Sequence, residues 1–170
     1  MEIDAPDALL EHVPMLDMLP LSIWIAASAP DCVSPVGIDI RDVQQQLSER
    51  AVDAVKRASQ PEWEADATLA RFVATDASFQ YIIGDVGRPF PVGPKGAHAF
   101  ANAIEPTRFR FGLWSGIPFA ADLCAKHKIM VEFGTKQPGE AIQVTFEFEQ
   151  GRIQRAEGWR RLYAAGMMAD

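Results

Sequence analysis

The sequence predicts an α+β domain, a cone-shaped curved antiparallel sheet packed against three helices. Three observations predict it. Between residues 42 and 104 apolar residues recur at helical spacing, interrupted by one short alternating run. From Thr107 onward the period switches to two. The 170 residues, 48% hydrophobic and 23% charged, suit a single domain that buries a core without metal or disulfide staples. Helices followed by a run of strands are the pattern of an α+β layer architecture.

Asp42 is the expected N-cap of the first helix, with Gln45 at its third helical position. Val43, Leu47, Ala51, Ala54, Val55 and Ala58 then form one face. Lys56 and Arg57 close the helix, where cations suit the carboxyl end of its dipole. Ser59-Gln60-Pro61-Glu62 fits a capping box for a second helix carrying Trp63, Ala67, Leu69, Ala70, Phe72 and Val73, which Asp76 stops. Ala77–Ile83 reads as a strand with Phe79, Tyr81 and Ile83 on one side. A loop punctuated by Gly84, Gly87, Pro89, Pro91 and Gly93 follows. Pro94 then opens a third helix whose face is Ala97, Phe100, Ala101 and Ile104.

The remaining segments alternate. Arg108–Phe119, Lys128–Thr135, Glu140–Glu149 and Arg152–Leu162 read as four strands of an antiparallel meander, with a Gln150-Gly151 turn before the last. Glu140–Glu149 sets Ile142, Val144, Phe146 and Phe148 against Gln143, Thr145, Glu147 and Glu149. Ten extended residues reach ~34 Å, long enough to curl around a core. Residues 1–40 are proline-rich without a sustained period and read as an N-terminal extension, laying Trp24 on the body or on a partner subunit. Residues 41–170 form the domain.

Composition excludes several classes. The formal net charge of −7 speaks against nucleic-acid binding, which needs clustered Lys and Arg. Cys32 and Cys124 form no CxxC pair and are expected to be free buried thiols, a single long-range disulfide being the alternative. Glu2, Asp4 and Asp7 stand where a signal peptide carries positive charge, and Leu19–Pro30 is too short to span a bilayer. A cytoplasmic protein without membrane partners is expected. The three histidines and two cysteines show no metal-ligand spacing, and no dinucleotide, phosphate-loop or GxSxG motif is present. No metal and no cofactor are therefore expected.

The segments LARFVATDASFQY, PVGPKGAHAFANAI and VTFEFEQGRIQRAEGW, in this order, resemble the nuclear-transport-factor-2-like superfamily, within it the SnoaL-like and ketosteroid-isomerase-like proteins. The resemblance covers roughly residues 42–163 and implies a cystatin-like roll around a small-ligand pocket. It also implies a homodimer formed through the sheet face, where Phe109, Phe111, Trp114 and Trp159 would need cover. It does not imply steroid isomerisation. Tyr81 stands where those enzymes place their carboxylate base, Val52, Val55 and Lys56 where they place an oxyanion tyrosine, and Val144 where they place a protonated aspartic acid. Arg155 and Glu157 only loosely echo the Asp-Arg-Asp set of limonene-epoxide hydrolases.

Tyr81, His98 and Asp85 are the candidate catalytic groups. Tyr81 should point toward the helices as a hydrogen-bond donor, His98 offers an imidazole that can give or take a proton, and Asp85 lies just beyond the first strand. Phe79, Trp114, Val144, Phe146 and Trp159 are the candidate pocket walls. His12 and His127 read as solvated surface, Glu147 and Glu149 as partners for Arg108 and Arg110 across strands, and Glu132 and Glu157 as the acids most suited to burial. The expected function is binding of a small apolar or aromatic carbonyl compound, with cofactor-free isomerisation, dehydration or cyclisation. The alternatives are a non-catalytic ligand-binding or dimerisation module, and a subunit serving only assembly.

Overall fold

Helix α1 spans Ile40–Ala58 and starts one turn earlier than the spacing predicts. Its cap is Asp39, not Asp42: the Asp39 carboxylate accepts from the amides of Arg41 at 2.7 Å and Asp42 at 2.9 Å. The computed structural model describes residues 32–83, 86–111 and 120–163. All six residues of the predicted α1 face are buried.

Ser59–Glu62 is not a capping box. Ser59 is the C-cap of α1, its hydroxyl donating to the Lys56 carbonyl at 2.7 Å. Trp63–Ala65 makes one 3₁₀ turn, and α2 (Ala67–Phe72) is capped by Asp66, which accepts from the Thr68 and Leu69 amides. Asp66 also takes an Arg57 guanidinium at 2.9 Å, an ion pair that ties the cap of α2 to the end of α1. Helix α2 stops at Phe72 because the chain turns into strand β1 (Val73–Ile83), which carries Asp76 within it. β-branched Val73 and Thr75 favour the extended form.

Val86–Pro89, read above as part of a loop, is strand β2, antiparallel to β1 with Tyr81 opposite Arg88. Its position at the sheet edge is what tolerates Pro89. Helix α3 (Gly93–Ile104) follows, with Pro94 in its first turn. Gly93 has φ +70°, and a Cβ there would stand 2.5 Å from the Thr75 carbonyl oxygen, so only glycine lets α3 start this close to β1.

Strands β3 (Arg108–Phe111), β4 (His127–Gly134), β5 (Glu140–Glu149) and β6 (Arg152–Leu162) form the expected antiparallel meander. The rest of the strand predicted to Phe119 lies outside the described residues. Strand order is β2-β1-β6-β5-β4-β3. β1 runs parallel to β6, so the sheet is mixed rather than wholly antiparallel. A parallel neighbour needs a long connection, and here α3 and the meander supply it.

The concave face packs on α1 and α3. It carries Phe79 and Tyr81 from β1, Ile129, Val131 and Phe133 from β4, Ile142 to Phe148 at alternate positions of β5, and Ile153 and Ala156 from β6, all buried. Ile83, placed on this side by alternation, is 54% exposed at the end of its strand. His127 is a further correction: it is buried, and its Nε2 donates to the Asp122 carbonyl. Glu147 and Glu149 pair with Lys128 (3.0 Å) and Lys126 (3.3 Å); the register sets Arg108 and Arg110 of β3 opposite Gly134 and Glu132 of β4, one strand away from β5. Glu132 is buried on the outer face and accepts from Tyr163, while Glu157 is half-buried beside Arg155.

The cysteines are not free. Cys32 and Cys124 are disulfide-bonded, with Cα atoms 5.5 Å apart. The Leu123 amide also donates to Ser34 Oγ at 3.0 Å, so the end of the N-terminal extension is fastened to the segment before β4. Among the described residues no helix is long and apolar enough to cross a membrane.

Candidate ligand-binding site

Register places two adjacent rows of side chains across the concave face. One row runs Phe109–Phe133–Ile142–Arg160 over β3, β4, β5 and β6. The next runs Val131–Val144–Gly158–Tyr81–Arg88 over β4, β5, β6, β1 and β2. Neighbouring strands lie ~4.8 Å apart, so groups two strands away in a row stand ~10 Å from one another.

The β3–β4 end of the first row borders a cavity of about 310 Å³, walled by Val55, Lys56, Ser59, Thr107, Phe109 and Phe133. The Lys56 ammonium sits 4.3 Å from the Phe109 ring centre, over its face. The β1–β6 end is polar. Arg160 donates to Glu140 at 2.8 Å, and Glu140 is 8% exposed although it is a carboxylate. Tyr81, also 8% exposed, makes no hydrogen bond to a described residue. Burial pushes its hydroxyl above the ordinary tyrosine range, the Glu140 carboxylate adds to that, and Arg160 pulls the other way. At neutral pH this phenol is therefore a neutral, unspent donor beside a buried carboxylate that pairs with an exposed guanidinium.

Between these ends the face is filled. A Cβ on Gly158 would lie 3.2 Å from both Ile142 Cγ2 and Phe100 Cζ. The missing side chain is what allows the Phe100 ring of α3 to rest on the sheet. Phe79 and Phe90 pack around that ring at centroid distances of 5.8 and 6.0 Å. Of the expected pocket walls, Phe79, Val144 and Phe146 are buried in this floor. Trp159 is on the outer face, opposite Ile82 and Gln143, and shares no wall with Tyr81. Asp85 and Trp114 lie outside the described residues.

His98 is placed apart from Tyr81. Its Nδ1 is 2.7 Å from the Ala58 carbonyl and its Nε2 is 3.0 Å from the Asn102 amide nitrogen. Since a carbonyl only accepts, Nδ1 carries the proton and Nε2 accepts from Asn102. The ring also stacks on Trp63 at 4.8 Å. These contacts join the end of α1, the 3₁₀ turn and α3, and they occupy both nitrogens. Glu140 and Arg160 escaped the sequence reading, although a signal existed. Glu140 shares the parity of Ile142, Val144, Phe146 and Phe148, which puts a carboxylate on the apolar face, and Arg160 stands two residues beyond Gly158 on the same side. Among the described residues no group of three or more His, Cys, Asp or Glu could hold a metal ion.

A curved mixed sheet packed against three helices and closing on a four-strand meander is the α+β arrangement that the sequence resemblance implies. Solved structures similar to the chain include an NTF-2-like protein of unknown function from Burkholderia xenovorans, at 10% identity and TM-score 0.42, covering 75% of this chain and 91% of that one. Another is a protein of unknown function with a cystatin-like fold from Methylobium petroleophilum, at 14% identity and TM-score 0.39, covering 75% and 83%. A third is a phenazine biosynthesis-related protein from Pseudomonas aeruginosa, at 14% identity and TM-score 0.36, covering 77% and 85%. No protein-family model and no curated protein matches the sequence. Overlaps this distant transfer no residue roles, so the roles proposed next rest on the geometry of this chain.

Proposed function

We propose that the chain binds a small apolar or aromatic carbonyl compound at the mouth of the concave face, with the Tyr81 hydroxyl donating to the carbonyl oxygen. The observation that carries this reading is the buried Tyr81 phenol, unpartnered among the described residues, beside the Glu140–Arg160 pair. The cavity walled by Phe109 and Phe133 lies at the other end of the same face, beyond the filled floor, and is lined by neither Tyr81 nor Glu140, so the ligand would rest on the apolar floor beside Tyr81 rather than in that cavity. A carbonyl that accepts from Tyr81 becomes more acidic at its α-carbon. Glu140 is the buried carboxylate on this face among the described residues, and it is the group assigned to take that proton. Returning the proton to another carbon gives an isomerisation. Passing it to a departing hydroxyl gives a dehydration, and attack of the carbanion on a second carbonyl gives a cyclisation.

A second reading, binding without turnover, has its own support: Arg160 holds one of the two Glu140 oxygens in an ion pair, which favours the charged carboxylate and makes it a weaker base. Thermal-shift and calorimetric screening against aromatic and terpenoid carbonyls tests the binding. A ligand should raise the melting temperature of the wild type but not of Tyr81→Phe. Equal response of the two proteins would remove Tyr81 from the site. Solvent deuterium exchange into the α-position of a bound ligand separates the readings, since only a catalyst exchanges it. Association of two copies through the outer sheet face belongs to the same proposal, and the half-buried Trp159 on that face supports it.

A further inference from the structure

A second cavity, of about 270 Å³, opens at the other end of the sheet, where the backbone of Arg152 on β6 stands opposite that of Glu149 on β5. Arg50 of α1, Arg71 of α2 and Arg152 of β6 line it, with Phe72, Gly151 and Cys32. Among the described residues no carboxylate does. None of the three arginines pairs with a carboxylate among the described residues, in a chain with 23 acidic and 16 basic side chains. Acidic partners were abundant, so the excess of cations is local to this cavity.

Two of the guanidiniums are held in place by the backbone. Arg152 Nη2 donates to the Ala70 and Val73 carbonyls at 3.1 and 2.7 Å, while its Nε is buried without a partner. Arg50 Nη1 donates to the Gly151 carbonyl, and the guanidinium lies 5.4 Å from the Phe72 ring centre. Arg71 stands exposed at the rim. Burial and the charge of Arg71 both lower the Arg50 pKa, the expected response of cations crowded together without a counter-charge. Glu49 and Asp53 border the adjoining hollow beside Arg50. Both are committed elsewhere, Glu49 to Gln45 at 2.9 Å and Asp53 to Arg57 at 2.7 Å.

Fixed, convergent guanidiniums with donors to spare recognise tetrahedral oxyanions. We propose that this cavity binds the phosphoryl group of a small phosphate monoester, with Arg71 closing over it from the rim. The site is separate from the carbonyl site and does not depend on it.

Titration calorimetry and amide chemical-shift mapping with inorganic phosphate and glycerol phosphate, against acetate as control, test the assignment. Saturable binding that shifts the Gly151 and Phe72 amides supports it. Arg71→Gln should weaken phosphate binding about tenfold or more, since a hydrogen bond to a charged group is lost. Arg71→Lys should retain part of the affinity, and Tyr81→Phe should retain all of it. Arg71 is exposed, and an unchanged melting temperature of its variants would confirm that they fold. No saturable phosphate binding, equal affinity of wild type and Arg71→Gln, or acetate binding as tight as phosphate would each overturn the proposal.

Discussion

A phenol that loses contact with water is harder to ionise, and at Tyr81 that effect leads. Its folded-state pKa is raised, so the stability it contributes is fully present below the unfolded value of about 10 and is lost as pH rises through the folded value. The chain has two tyrosines, Tyr81 and Tyr163. An absorbance titration should therefore show a tyrosinate that appears later than a free one, and Tyr81→Phe should remove it while flattening the loss of stability above about pH 10. Gly158 supports a second expectation at this scale. A methyl group there must push against Ile142 and Phe100, so Gly158→Ala should cost about 1–3 kcal/mol in urea unfolding. Phe100→Leu in the same chain should recover part of the cost if the Phe100 ring is what the methyl group meets. Tyr81 was legible in the sequence because strand alternation alone places it beside Phe79. Glu140 was equally legible by alternation, but its carboxylate reads as a strand end rather than as a buried group bonded to Arg160.

At the level of elements, apolar periodicity located all three helices, whereas the caps were misplaced. Asp42 and Ser59 have the right chemistry for caps, but Asp39 and Asp66 have it too. Asp66 also holds Arg57, a contact between helices that no local pattern displays. Strand β2 was hidden for a related reason, since glycine and proline mark an edge strand and a loop alike. The disulfide was hidden because two cysteines 92 residues apart show no spacing rule; folding brings them together. It closes a loop long enough for a chain-entropy contribution of roughly 4 kcal/mol. Cys124→Ser should lower unfolding stability by up to that amount, and thiol titration of the unreduced native protein should find no free cysteine. Stability indifferent to reductant would mean that the bond constrains little. His98 belongs to this scale as well. His98→Ala removes its bond to the Ala58 carbonyl and the stacking on Trp63, at a cost of about 1–2 kcal/mol, and should leave carbonyl-ligand affinity unchanged. A loss of ligand affinity without a loss of stability would return His98 to the site.

For the molecule as a whole, the meander and the helical roof were legible because each strand has its own alternation. The parallel seating of β1 against β6 was not, since pairing across some eighty residues leaves no trace in either segment alone. That seating decides what the outer face becomes. It sets Ile82, Trp159 and Gln143 in one row, with Met130 in the next, while the salt bridges Lys128–Glu147 and Lys126–Glu149 occupy the other end of the same face. One half of the surface thus sets the half-buried Ile82, Trp159 and Met130 around the buried Glu132 carboxylate, and the other carries the two Lys–Glu pairs. A two-fold contact between copies would bury the first half against itself and leave the paired charges in water, where each contributes little. Sedimentation equilibrium should accordingly give twice the chain mass, and Trp159→Glu should shift the population toward the single-chain mass by placing two carboxylates across the axis. Phosphate affinity at the arginine cavity should survive that substitution, because the cavity belongs to one copy. A wild-type chain that stays at the single-chain mass across the concentration range would leave this face without the partner assigned to it.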